Sequence, residues 1–148
     1  MLRRLATGER VDDAVDWPNL IEEVESLGRS ELHAVESLLA RALEHLLRLY
    51  GWPEARDAQH WRGEIGSVLL SARRRFTPGM RQVIDLSTLY SDARDAVVAM
   101  ALEGAAPRRP PGACPYDLGV LLPPRPDGPD VDALLAWLDE PVAPPRDA

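Results

Sequence analysis

Few side chains in this sequence have the types and spacing to do chemistry: Glu22, Glu23 and Glu25; His45 and Arg62; Cys114; and the run Arg73-Arg74-Arg75. On a helix, at about 100° per residue, Glu23 and Glu25 fall on opposite flanks of an apolar stripe and Glu22 points away from it. The three therefore do not converge as a carboxylate pair must, and they serve solubility and the positive end of a helix dipole instead. A helical bundle builds a metal site from carboxylates and histidines that project inward from several helices. The Glu-x-x-His spacing of such sites is absent, and His33 and His60 fall on outward faces, so no metal or cofactor is expected.

His45 and Arg62 sit on the flanks of two successive helical stripes. With Glu25 they form a candidate polar pocket, Glu25/His45/Arg62, able to hold an anion or to support acid–base catalysis. The same three groups could equally be a hydrogen-bonded network that fixes helix register. Cys114 is followed by Pro115, which suits the first turn of a short helix, and a thiol near a helix N-terminus is activated as a nucleophile. A loop pinned down by Tyr116 accounts for Cys114-Pro115-Tyr116 as well, and no histidine is close in sequence. The three consecutive arginines point in different directions around a helix, so they make no single phosphate-binding patch. There is no phosphate loop, dinucleotide glycine pattern or serine elbow.

The elements that must position these groups follow from apolar spacing. Asp16-Trp17-Pro18 opens a first helix, with Asp as cap and Pro in the first turn. Trp17, Leu20, Ile21, Val24 and Leu27 then make its stripe, and Gly28 is placed to end it. Ser30 is read as the cap of a second helix running to about residue 50, with Leu32, Val35, Leu39, Ala42, Leu46 and Leu49 as its stripe. The short Gly28-Arg29-Ser30 link would make these two antiparallel neighbours. After Gly51-Trp52-Pro53 a third helix carries Ala58, Trp61, Ile65, Val68, Leu69, Ala72 and Phe76. The segment over 78–103 changes apolar phase near residues 85–87 and is read as two helices or one kinked helix. Residues 106–129 are Pro-dense, with room for one turn over 115–122. Asp130 caps a short amphipathic helix through Val131, Leu134, Leu135, Trp137 and Leu138; the tail after Pro141 is expected to be disordered.

The spacing predicts an all-α protein: a four- to five-helix antiparallel bundle with a Pro-rich loop and a short C-terminal helix. Residues 1–122 are assigned to the bundle domain, and 123–148 to a Pro-rich C-terminal extension carrying the helix over 130–140. The 148 residues suffice for one core, and 45% of them are hydrophobic. No apolar run is long enough for a membrane span, nothing near Met1 reads as a signal peptide, and Cys114 is the single cysteine. A cytoplasmic location follows as the expectation. All 17 basic residues are arginine, which with so much Ala and Pro reads as a GC-rich genome rather than chemistry. The net charge of -7 argues against nucleic acid and anionic membrane as partners. The charge is uneven: residues 12–36 hold eight acids and one arginine, whereas residues 41–75 hold seven arginines and four acids. Those arginines are the one feature that would favour a nucleic-acid regulator.

Several segments in order carry a family resemblance. They are Asn19-Leu20-Ile21-Glu22-Glu23-Val24-Glu25-Ser26-Leu27-Gly28-Arg29-Ser30-Glu31, then Glu44-His45-Leu46-Leu47, Pro53-Glu54, Trp61-Arg62, and finally Cys114-Pro115-Tyr116-Asp117-Leu118 with Leu121-Leu122. Over residues 15–122 the chain resembles an uncharacterised bacterial family (domain of unknown function twenty-nine). The resemblance implies an all-helical fold and no particular activity. The chain departs from the family in offering only residues 1–13 before the signature, and in the helix after the Pro-rich stretch. The functional expectation is a non-enzymatic protein-interaction module that meets a protein partner or a second copy of itself. Trp52, Trp137 and the C-terminal stripe are the apolar surface in need of cover. The alternative is an enzyme or small-ligand protein using the Glu25/His45/Arg62 pocket.

Overall fold

The computed structural model describes residues 16–102, 104–124 and 128–139. The expectations for residues 1–13 and for the tail after Pro141 lie outside the described residues. The first element, α1, is one helix of 35 residues, Trp17–Gly51. The Asp16 carboxylate accepts from the Asn19 backbone N–H at 3.3 Å, and Pro18 lies in the first turn.

The expected turn at Gly28-Arg29-Ser30 does not form. Gly within a helix costs only about 1 kcal/mol relative to Ala, and the apolar pattern runs through it in register. Trp17, Gly28, Leu39 and Tyr50 are spaced by eleven residues, as are Ile21, Leu32 and Leu43, and Val24, Val35 and Leu46. Eleven residues make three turns to within about 20°. The two stripes read from the sequence are therefore one stripe on one helix.

Helix α2, Ala58–Arg75, packs back along α1 and buries Trp61, Ile65, Val68, Leu69 and Ala72. A 3-10 turn at Pro78–Gln82 buries Met80, and Asp85 then caps α3, Leu86–Val98. The Asp85 carboxylate accepts from the Thr88 backbone N–H and hydroxyl at 3.2 and 2.7 Å, which holds its pKa below the usual carboxylate value. The phase change at residues 85–87 thus marks a real break between two helical pieces. Leu86, Tyr90, Ala93 and Val97 turn inward against α1.

The Pro-rich chain over 107–111 is tied to α1 and α3. The Tyr90 hydroxyl and Arg94 Nε donate to the Pro111 carbonyl at 2.6 and 3.0 Å. The Arg108 N–H donates to Gly51 O at 3.0 Å. A Cβ at residue 51 would lie 2.8 Å from Pro107 Cβ, so this contact needs glycine. A single turn, α4, Leu118–Leu121, leads to α5, Val131–Asp139, where the Asp130 carboxylate accepts from the Ala133 N–H at 2.8 Å. Leu134 and Leu138 of α5 join the same buried cluster as Leu39, Ile65 and Tyr90. The protein is an all-α helical bundle, and no described helix is long and apolar enough to cross a membrane.

Candidate functional site

The continuous α1 decides the fate of the candidate polar pocket. Glu25 and His45 lie twenty residues apart on one helix, about 30 Å at 1.5 Å per residue. The pocket required them on two facing helices, so Glu25/His45/Arg62 is corrected: the structure does not bring these residues together. Glu25 is exposed. His45 is half-buried, and its Nδ1–H donates to the Arg41 carbonyl one turn back at 2.8 Å. Arg62 instead pairs with Asp132 of α5, Nη1 to Oδ1 at 2.9 Å.

Cys114 is half-buried, and its thiol contacts the Tyr116 carbonyl at 3.5 Å. Burial pushes its pKa up, against a smaller opposing effect from the Tyr116 backbone. The helix expected to activate it begins only at Leu118 and has four residues. The thiol is held protonated, the reverse of a catalytic cysteine. Arg73 of the arginine run donates from Nε to Leu121 O at 2.9 Å, and desolvation lowers its pKa. Three arginines of the 41–75 stretch are thus engaged within the chain: Arg48 with Glu44, Arg62 with Asp132, and Arg73 with Leu121. Among the described residues no group of three or more His, Cys, Asp or Glu could hold a metal ion.

Sequence reasoning missed a polar cluster at the C-terminal end of α1. The Tyr50 hydroxyl donates to Asp139 Oδ1 at 3.0 Å, and Arg108 Nη1 reaches the same oxygen at 3.3 Å. The Arg108 guanidinium lies 3.9 Å from the Tyr50 ring centroid. Burial raises the Tyr50 pKa first, and the bond to Asp139 adds to it. Three elements meet here, and the cluster ties α5 down; it presents no open acid–base pair. On the other side of α5, the buried Tyr116 hydroxyl donates to Leu134 O and its ring stacks on Trp137 at 6.0 Å. Trp52 is buried, with Nε1 donating to Ala105 O at 3.1 Å. Trp52 is thus buried, whereas Val131, Leu135 and Trp137 are half-buried against the same core.

The uncovered apolar surface is at the other end of α1. A helix of 35 residues runs about 52 Å, whereas α2 with 18 residues runs about 27 Å. The same stripe that is buried from Val35 onward is exposed before it. Trp17 is 47% exposed, Val24 61% and Leu27 67%, with Leu20 and Ile21 also exposed. At the base of this arm an apolar groove of about 430 Å³ lies between Leu27, Leu32, Thr77, Gly79, Met80 and Val83. The eleven-residue spacing was the signal in the sequence that would have revealed the single helix.

A family model described as "Domain of unknown function DUF29" matches residues 5–125. Among solved structures, an alpha-helical protein of unknown function from Rhodospirillum rubrum is 29% identical, with a TM-score of 0.70. That likeness covers 91% of this chain and 86% of the other. Comparison with curated proteins finds no match.

Proposed function

We propose that this chain, which belongs to the DUF29 family of unknown function, works as a non-enzymatic protein-interaction module whose acting surface is the arm of α1 over residues 17–31. The observation that carries this reading is the exposed stripe Trp17, Leu20, Ile21, Val24 and Leu27. Five large apolar side chains on one face of a helix leave a contiguous surface of the kind that marks interaction sites. The rest of the molecule supports the reading by what its polar groups do: His45, Arg62, Tyr50 and Cys114 are each engaged within the chain. The division into a bundle over 1–122 and an extension over 123–148 enters as part of this proposal, the extension serving to cap the bundle rather than to dock. A cytoplasmic location completes it, supported by the single cysteine.

A nuclease-treated pull-down from the native cytoplasm tests the reading when wild-type and Leu27→Asp chains are run side by side. A stoichiometric protein recovered by the wild type, lost with Leu27→Asp and kept by Leu70→Asp on α2, is the expected result. A partner held equally by Leu27→Asp would move the interface elsewhere.

A further inference from the structure

The borders of the arm's apolar stripe carry information about what covers it. With Val24 at the centre of the stripe, Trp17, Leu20, Ile21 and Leu27 fall within about 60° on either side. Glu23 and Glu25 lie about 100° to either side, Asp16 about 80° away, and Glu31 on the stripe itself at the end near the groove. The one cation of the arm, Arg29, lies about 140° from the centre, one turn beyond Glu25 and behind it. All residues from 16 to 31 are exposed. Asp16 and Glu23 thus border one edge of the apolar seam and Glu25 the other, and the arm's cation stands behind Glu25 rather than on the border.

We infer that the occupant of this surface is an amphipathic helix of a partner protein whose apolar face is flanked by arginine or lysine on both sides. This inference rests on the interaction reading above and names the partner's chemistry. A helix laid along the seam from Trp17 to Glu31 runs about 21 Å beside the arm, close to four turns. Its own border positions then face Glu23 along one edge and Glu25 along the other, as flanking charges do in paired helices. Its end reaches the groove, where one large apolar side chain lies against Leu27, Leu32, Met80 and Val83. A second copy of the arm is the poorer match: its seam fits equally well, but it sets Asp16, Glu23, Glu25 and Glu31 against the same four groups. Like charges across a helix pair select against the pairing, whereas a basic partner converts each border into attraction and a faster encounter.

The test uses the full chain and three synthetic peptides of about eighteen residues, read by fluorescence anisotropy. One peptide carries a Leu/Ile apolar face with Lys and Arg borders. The second has the same face with Glu borders, and the third has the basic composition with its apolar positions scrambled. The inference expects the first peptide to bind at least about tenfold tighter than the second at low salt. That ratio should narrow as salt rises and in a Glu23→Gln, Glu25→Gln chain. Leu27→Asp should abolish binding, with the helical circular dichroism unchanged. Equal binding of the first two peptides overturns the charge inference and leaves the docking reading standing. Equal binding of the scrambled peptide reduces the effect to bulk attraction and overturns it too. Binding that appears only after removal of residues 1–15 makes the chain's own leading segment the occupant. No peptide binding, with dimers that Val24→Asp converts to monomers, makes it a second copy. No binding and a monomer throughout would sink the docking reading itself.

Discussion

Val24 and Val35 are the same residue on the same face of the same helix, three turns apart, and differ in what lies against them. Val35 is 0% exposed and Val24 is 61% exposed. Replacing Val35 by Ala removes two methylene equivalents from the core, about 0.8 kcal/mol each. The cavity left behind raises the loss to about 2–3 kcal/mol, of which the better helix propensity of Ala returns about 0.5 kcal/mol. Replacing Val24 by Ala forfeits less than half of the burial, about 0.6 kcal/mol, and Ala recovers about 0.5 kcal/mol because it is the better helix former. The net is near zero. Urea unfolding followed by far-ultraviolet circular dichroism separates the two. With a slope of about 2 kcal/mol per molar urea, Val35→Ala should lower the midpoint by about 1 M and Val24→Ala should leave it in place. Equal losses at both positions would mean that the arm's stripe is buried in the free chain, and the reasoning from its exposure would be refuted.

Three further outcomes follow from the same packing. Leu138 is 2% exposed under the Tyr50–Asp139–Arg108 cluster, so Leu138→Ala should cost about 3 kcal/mol in urea unfolding; a loss under 0.5 kcal/mol would show that α5 is not docked. Cys114 has a raised thiol pKa and should react with a disulfide reagent at neutral pH more slowly in the native chain than in urea; fast native reaction would contradict its burial. Burial raises the pKa of Cys114, Tyr50, Tyr90 and Tyr116 above their ordinary values of 9.0 and 10.0. The folded state therefore holds protons that the unfolded chain releases, so the stability these groups contribute is complete below about pH 9 and is lost as pH rises through the folded values. The urea midpoint should fall from pH 9 upward, less steeply in Tyr116→Phe; a midpoint flat to pH 11 would count against it.

The sequence was legible where a local pattern had one interpretation. Leu86, Tyr90, Ala93 and Val97 repeat at helical spacing after a capping Asp85, and the helix begins where the pattern does. Asp130 and the stripe of Leu134 and Leu138 located α5 in the same way. Gly28 was misread because glycine followed by serine matches a helix end as well as a helix interior. Only the register of Val24 with Val35 and of Ile21 with Leu32, across the glycine, distinguishes the two. That single misreading created the Glu25/His45/Arg62 pocket, since folding the chain back at residue 29 is what would have set Glu25 beside His45. The Tyr50–Arg108–Asp139 cluster joins groups 58 and 89 residues apart from Tyr50, and no periodicity of the chain encodes such a meeting. Nor does spacing say which part of a stripe is covered, because that depends on how far α2 and α3 extend beside α1.

The most direct measurement of the central claim is the fluorescence of Trp17, taken as the difference between the wild-type chain and Trp17→Phe. Of the four tryptophans, Trp17 alone lies on the arm, and Trp52 and Trp61 are buried. Its emission in the free chain should be that of a water-exposed indole, readily quenched by acrylamide, and should turn blue-shifted and protected when the basic-bordered peptide is added. A Trp17 already blue-shifted and shielded in the free monomer would contradict the claim that the arm waits uncovered for a partner.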